Sequence, residues 1–126
     1  DTNVLVRYIA QDDAKQSPIA TKLITSLTTE NPGFISQVSL VELVRVMQSC
    51  YKAGKPEVVA ILETLLSTRE LLVENTETAI KALKIFETSK ADFSDCLIER
   101  TASKAECLHC DSFDTHAIKT AGFKPV

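Results

Sequence analysis

The feature that most constrains this chain is a change of hydrophobic period that recurs along it. Short β-rich runs give way repeatedly to longer stretches whose apolar residues fall three and four apart. Strands that alternate with helices pair in parallel, because a parallel neighbour needs a crossover and a helix usually supplies it. The expected class is therefore α/β with a mostly parallel central sheet. Residues 3–10, with Val4, Leu5, Val6, Tyr8 and Ile9 apolar, suit a buried helix after a turn at Asp1 and Thr2. Residues 17–28 predict a second helix, with Ser17-Pro18 as its N-cap and first-turn pair and the breakers Asn31-Pro32-Gly33 after it.

A strand is predicted over 34–38 and a helix over 40–51, with Ser39 at the boundary and Ser39 to Glu42 at capping-box spacing. Lys55-Pro56 opens the next helix, whose inward face is Val58, Val59, Ile61, Leu62, Leu65 and Leu66. A second strand is predicted over 70–74 and a helix over 76–88. After Asp92-Phe93-Ser94-Asp95 comes a helix with a small-residue face that includes Cys96, Thr101, Ala102 and Ala105. Residues 107–110 read as a weak strand, 114–121 as a helix closed by Gly122, and 123–126 as a last edge strand.

With 126 residues, 44% of them apolar, one core and one domain over 1–126 are expected. No apolar run reaches the roughly 20 residues that cross a bilayer, and no secretory leader is evident, so a cytoplasmic location is the expectation. The four cysteines lack the density of a disulfide framework and are expected to be reduced. A net charge of -3 gives no general attraction for a polyanion, so contact with nucleic acid would need local cations.

Acids fall where ligands collect in such folds, beyond the carboxyl ends of strands. Asp1 precedes the first helix, Glu42 follows the 34–38 strand, Asp95 begins the small-residue helix, and Asp114 follows the 107–110 run. Carboxylates gathered in one pocket repel unless a cation neutralises them, and all-oxygen ligation selects a hard ion such as Mg²⁺ or Mn²⁺. Such ions act on phosphate esters, which makes phosphodiester hydrolysis the implied chemistry. Capping competes with ligation: Glu42 fits the capping box, Asp92 or Asp95 suits an N-cap, and Asp114 suits the cap of the final helix. For Asp1 the sequence offers no such structural role.

Four segments together resemble the PIN domain family and, within it, the VapC-type toxins. They are Asp1-Thr2-Asn3-Val4-Leu5-Val6-Arg7-Tyr8, Val38-Ser39-Leu40-Val41-Glu42-Leu43-Val44, Ala91-Asp92-Phe93-Ser94-Asp95-Cys96-Leu97-Ile98, and Ser112-Phe113-Asp114. The resemblance spans nearly the whole chain and implies a three-layer α/β/α fold and a Mg²⁺- or Mn²⁺-dependent endoribonuclease. It implies that Asp1, Glu42, Asp95 and Asp114 form the acidic site, with Asp92 as a further member. Thr2 and Asn3 would support the first carboxylate, and Ser112 would be the hydroxyl of the last motif. Also implied are attack of water on the RNA backbone to leave 5′-phosphate and 3′-hydroxyl ends, a small antitoxin partner, and a toxin homodimer.

The sequence departs from the family pattern in three respects. Apolar residues that form a central strand normally precede the first aspartate, whereas this sequence begins at Asp1, so a truncated first strand is expected. Thr115 and His116 stand where many relatives carry a base, and RNA contact would rest on Arg7, Arg45, Arg100, Lys104 and Lys119. Cys107-Leu108-His109-Cys110 has zinc-knuckle spacing but no second close pair, which favours plain thiols. Three glycines and no Gly-rich loop exclude nucleotide-cofactor motifs. The alternative to the enzyme is a PIN-like scaffold whose acids are structural.

Overall fold

A computed structural model describes residues 1–126, which divide into two units, Asp1–Glu74 and Asn75–Val126. The first holds α1 (Thr2–Ala10), α2 (Gln16–Ser26), β1 (Gly33–Ile35), α3 (Gln37–Ser49), α4 (Lys55–Ser67) and β2 (Leu71–Val73). The second holds α5 (Thr76–Thr88), α6 (Phe93–Lys104), β3 (Asp111–Ser112), α7 (Thr115–Thr120) and β4 (Lys124–Pro125).

In the first unit β1 and β2 pair in parallel, Gly33 opposite Leu71 and Ile35 opposite Val73. Ile35, Leu71 and Val73 are buried while Phe34 and Leu72 stand on the open face, as the two-residue period of a strand requires. Helix α3 contributes Leu40 and Leu43, and α4 contributes Val58 and Leu62, to a core from which water is excluded. A Cβ at Gly33 would come within 2.9 Å of Leu27 Cδ1 and 3.1 Å of Leu71 Cδ2, so those side chains would have to shift to admit one.

The second unit is built on the packing of α5 against α6. Phe86 and Phe93 meet edge to face, their ring centroids 5.8 Å apart and their planes at 78°. Ser112 pairs with Pro125 in the parallel β3–β4 ladder. Gly122 turns the chain from α7 into β4 with φ +82°, a conformation that suits glycine.

The mixed α/β class and the parallel pairing agree with expectation, and α5 runs over the predicted residues. Three local readings are corrected. Helix α3 starts at Gln37, because Ser36 Oγ accepts from Ser39 N at 3.1 Å and makes Ser36 the cap; the expected Ser39–Glu42 box does not form. Ser17 does not cap α2: the helix begins at Gln16, and Asp13 Oδ1 accepts from Lys15 N and Gln16 N ahead of it. The strand predicted at 107–110 lies instead at Asp111–Ser112, after a loop in which His109 pairs with Asp111 at 3.3 Å.

Candidate active site

In the first unit, Asp1 is the N-cap of α1. Its Oδ1 accepts from Asn3 N at 3.1 Å and Val4 N at 3.4 Å, satisfying donors that a helix start leaves unpaired. The expectation that Asp1 has no structural role is therefore overturned. Thr2, only 9% exposed, gives its hydroxyl to Glu42: Thr2 Oγ1 donates to Glu42 Oε2 at 2.7 Å, tying α1 to α3 across 40 residues of sequence. Glu42 sits beyond the first turn of α3 and is free of the capping duty the sequence suggested. Asp1, Thr2, Asn3, Glu42, Arg45 and Val46 line one cleft of about 260 Å³. Two of the expected acids thus share a concavity, and Arg45 is the cation beside them.

In the second unit, Asp92 occupies the N-cap position of α6 without bonding the helix through its side chain. Asp95 lies in the first turn and is half-buried. Burial pushes the Asp95 carboxyl above the usual aspartate range, and the negative charges of Asp92 and Asp114 push it further. Asp114 caps α7, its Oδ1 accepting from His116 N at 2.8 Å and Ala117 N at 2.9 Å. Ser112 Oγ accepts from Asp114 N at 3.0 Å and so fixes the turn that presents this aspartate. None of Asp92, Asp95 or Asp114 takes part in the ion pairs Arg7–Asp12, Lys81–Glu77 or Arg100–Glu99, or in the His109–Asp111 contact.

This second group is a concentration of negative charge that disfavours the ionised form of its most buried member, and a bound cation would relieve it. The donors are carboxylate oxygens with hydroxyls beside them, a set that fits Mg²⁺ or Mn²⁺ and disfavours softer ions. Neither unit taken by itself gathers three His, Cys, Asp or Glu side chains into a metal-holding group. Capping does not exhaust the carboxylates: Asp1 and Asp114 each use Oδ1 for the helix, which leaves Oδ2 for a ligand.

Of the cations expected to grip RNA, Arg7 is committed to Asp12 and Gln16, Arg100 to Glu99, and Lys104 donates to Asn75 Oδ1 at 3.3 Å. Arg45 and Lys119 are exposed. The Thr2–Glu42 bond is not legible from sequence, since no local pattern links two residues 40 apart.

A VapC ribonuclease of Aquifex aeolicus (strain VF5) is 26% identical over 127 residues, an alignment that covers 100% of this chain and 93% of that protein. No solved structure matches the chain significantly. The family model described as PIN domain matches residues 1–123, and so the chain belongs to the PIN domain family.

Proposed function

We propose that this protein is a metal-dependent endoribonuclease, the toxin of a VapC-type toxin–antitoxin pair, with RNA as substrate and a small antitoxin protein as partner. The observation that carries the reading is the match to the PIN domain family over residues 1–123 in a chain that retains Asp1, Glu42, Asp95 and Asp114, and the burial of Asp95 with the negative charges of Asp92 and Asp114 acting on it supports the reading. The likeness to the Aquifex VapC ribonuclease over the full chain supports it. No helix is long and apolar enough to cross a membrane. A cytoplasmic location and a homodimer belong to the same proposal.

Asp1, Glu42, Asp95 and Asp114 would hold Mg²⁺ or Mn²⁺, which when bound supplies an activated water and neutralises charge on the phosphodiester. The chain's own contribution is orientation. Thr2 holds Glu42 Oε2, the start of α1 holds Asp1, and Ser112 with the start of α7 holds Asp114. The half-buried position of Asp95 limits its contact with water and strengthens its interaction with any cation that arrives.

Purified protein incubated with single-stranded RNA and Mg²⁺ or Mn²⁺ should give new 5′ ends, and Asp95→Asn should give none while keeping its fold. Mn²⁺ should raise the melting temperature of the wild type, since a ligand of the folded state alone stabilises it. The capping roles of Asp1 and Asp114 favour a second reading, a scaffold with structural acids. That reading predicts neither cleavage nor a melting shift, and the two results together would establish it over the nuclease. Co-expression with its antitoxin, followed by size-exclusion chromatography, tests the partner and the dimer.

A further inference from the structure

In the second unit a cleft of about 260 Å³ is lined by Glu77, Thr78 and Lys81 of α5 and by Arg100, Ser103 and Lys104 of α6. None of these six belongs to the acidic set. Arg100 is held by Glu99, with Nη2 donating to Oε1 at 2.8 Å, so the cleft and its immediate neighbour carry three cations against two carboxylates. The balance is one positive charge, equal and opposite to that of a phosphodiester.

The donors are available. Lys81 reaches Glu77 at 3.5 Å in an i,i+4 pair whose side chains are 59% and 86% exposed, the kind of surface pair that a better acceptor readily displaces. Lys104 Nζ spends one donor on Asn75 Oδ1 and keeps two. Thr78 is 4% exposed and lines the cleft, so it brings a hydroxyl-bearing side chain to the cleft wall. The volume is several times the roughly 30 Å³ of a water, enough for a phosphate with part of its sugar.

We infer that this α5–α6 cleft is a phosphate-binding subsite that receives a backbone phosphate of a bound RNA strand, with Lys81 and Lys104 supplying charge and Thr78 a directed hydroxyl. It rests on the ribonuclease reading and adds to it a contact outside the acidic site. The contact is to backbone rather than base, so it contributes affinity and register without sequence preference.

The test is fluorescence anisotropy of a labelled single-stranded RNA oligomer with the full chain in EDTA, where no cleavage occurs. Wild type is compared across salt concentrations with Lys81→Gln/Lys104→Gln and with Thr78→Val. The double variant should bind several-fold more weakly, with a log–log salt slope shallower by about 0.7 for each phosphate that the protein no longer neutralises. Thr78→Val should weaken binding without changing the slope, because it removes a neutral donor. Melting curves confirm that each variant is folded; should the double variant melt early, Lys81→Arg/Lys104→Arg, which keeps the charge, must restore the slope.

RNA binding with equal affinity and slope in wild type and double variant overturns the subsite and leaves the ribonuclease reading standing. Wild type that neither binds nor cleaves RNA overturns both. Titration with inorganic phosphate separates the other source of the same chemistry. If phosphate binds wild type but not the double variant while RNA binding is unchanged, the cleft serves a free phosphorylated molecule and the RNA assignment is wrong.

Discussion

Replacing Thr2 by valine removes a single donor and keeps the shape of the side chain. Thr2 is 9% exposed and its Oγ1 lies 2.7 Å from Glu42 Oε2, whereas Glu42 itself is exposed. A hydrogen bond to a charged acceptor contributes about 1.5–3 kcal/mol, but water can solvate the released carboxylate, which places the loss near about 1 kcal/mol. For a chain of 126 residues that is a fall in melting temperature of roughly 3–5 °C. Thr2→Ser, which keeps the hydroxyl, should recover most of the loss. A double-mutant cycle of Thr2→Val with Glu42→Ala should return a coupling of about 1 kcal/mol. In the cleavage assay Thr2→Val should also slow turnover, because Glu42 is no longer held in one orientation. A coupling energy near zero, with unchanged melting and turnover, would refute the claim that this bond joins α1 to α3 and positions the carboxylate.

The raised Asp95 carboxyl has a definite sign in stability. A group whose folded-state pKa is raised contributes stability that is fully present below the ordinary aspartate range and is lost as pH rises through the raised value. Metal-free protein should therefore lose stability as pH rises from the acid side of that window, and Asp95→Asn should flatten the loss and melt higher than wild type at pH 7; a lower melt there would contradict the assignment. Phe93, 1% exposed and edge-on to Phe86, should cost about 3–5 kcal/mol when cut to alanine, measured by urea denaturation. Asp114→Ser should keep the cap of α7, with melting within about 1 °C of wild type, because serine is a comparable N-cap. It should lose more activity than the roughly 10–100-fold that follows from removing a residue that only supports a metal ligand. A destabilised but fully active serine variant would make Asp114 a cap and nothing else.

What is legible in sequence is what depends on residues close to one another. The helical face from Val58 to Leu65 and the whole of α5 follow from apolar spacing, and Lys55-Pro56 marks a helix start because proline's missing N–H is harmless there. What sequence leaves undecided is the choice between equivalent caps. Ser36 and Ser39 are both serines three residues from a plausible partner, and only the position of β1, ending at Ile35, decides that Ser36 takes the cap. The loop at 107–110 carries apolar Leu108 yet leaves it 97% exposed, so hydrophobicity alone misplaces the strand. The acids themselves are legible, but not their partners: Thr2 serves Glu42 rather than Asp1, and Asp95 is shaped by Asp92 and Asp114 through space.

The opposition between capping and ligation, even-handed at the level of sequence, loosens once the oxygens are counted. An N-cap aspartate spends one oxygen on the helix, and in both Asp1 and Asp114 that oxygen is Oδ1. The second oxygen, Oδ2, is not used by the helix in either residue and remains for a ligand. A cap also removes rotamer freedom before any ligand arrives, which lowers the entropic cost of holding one. Asp95 differs in kind: it stands in the first turn of α6 rather than at the cap, and burial with two like charges works against its ionisation. Capped and uncapped acids therefore divide the work by environment, the former oriented by the backbone through Oδ1 and the latter favoured by a positive partner, and this is why Asp95 is the residue whose neutralisation separates the enzyme from the scaffold.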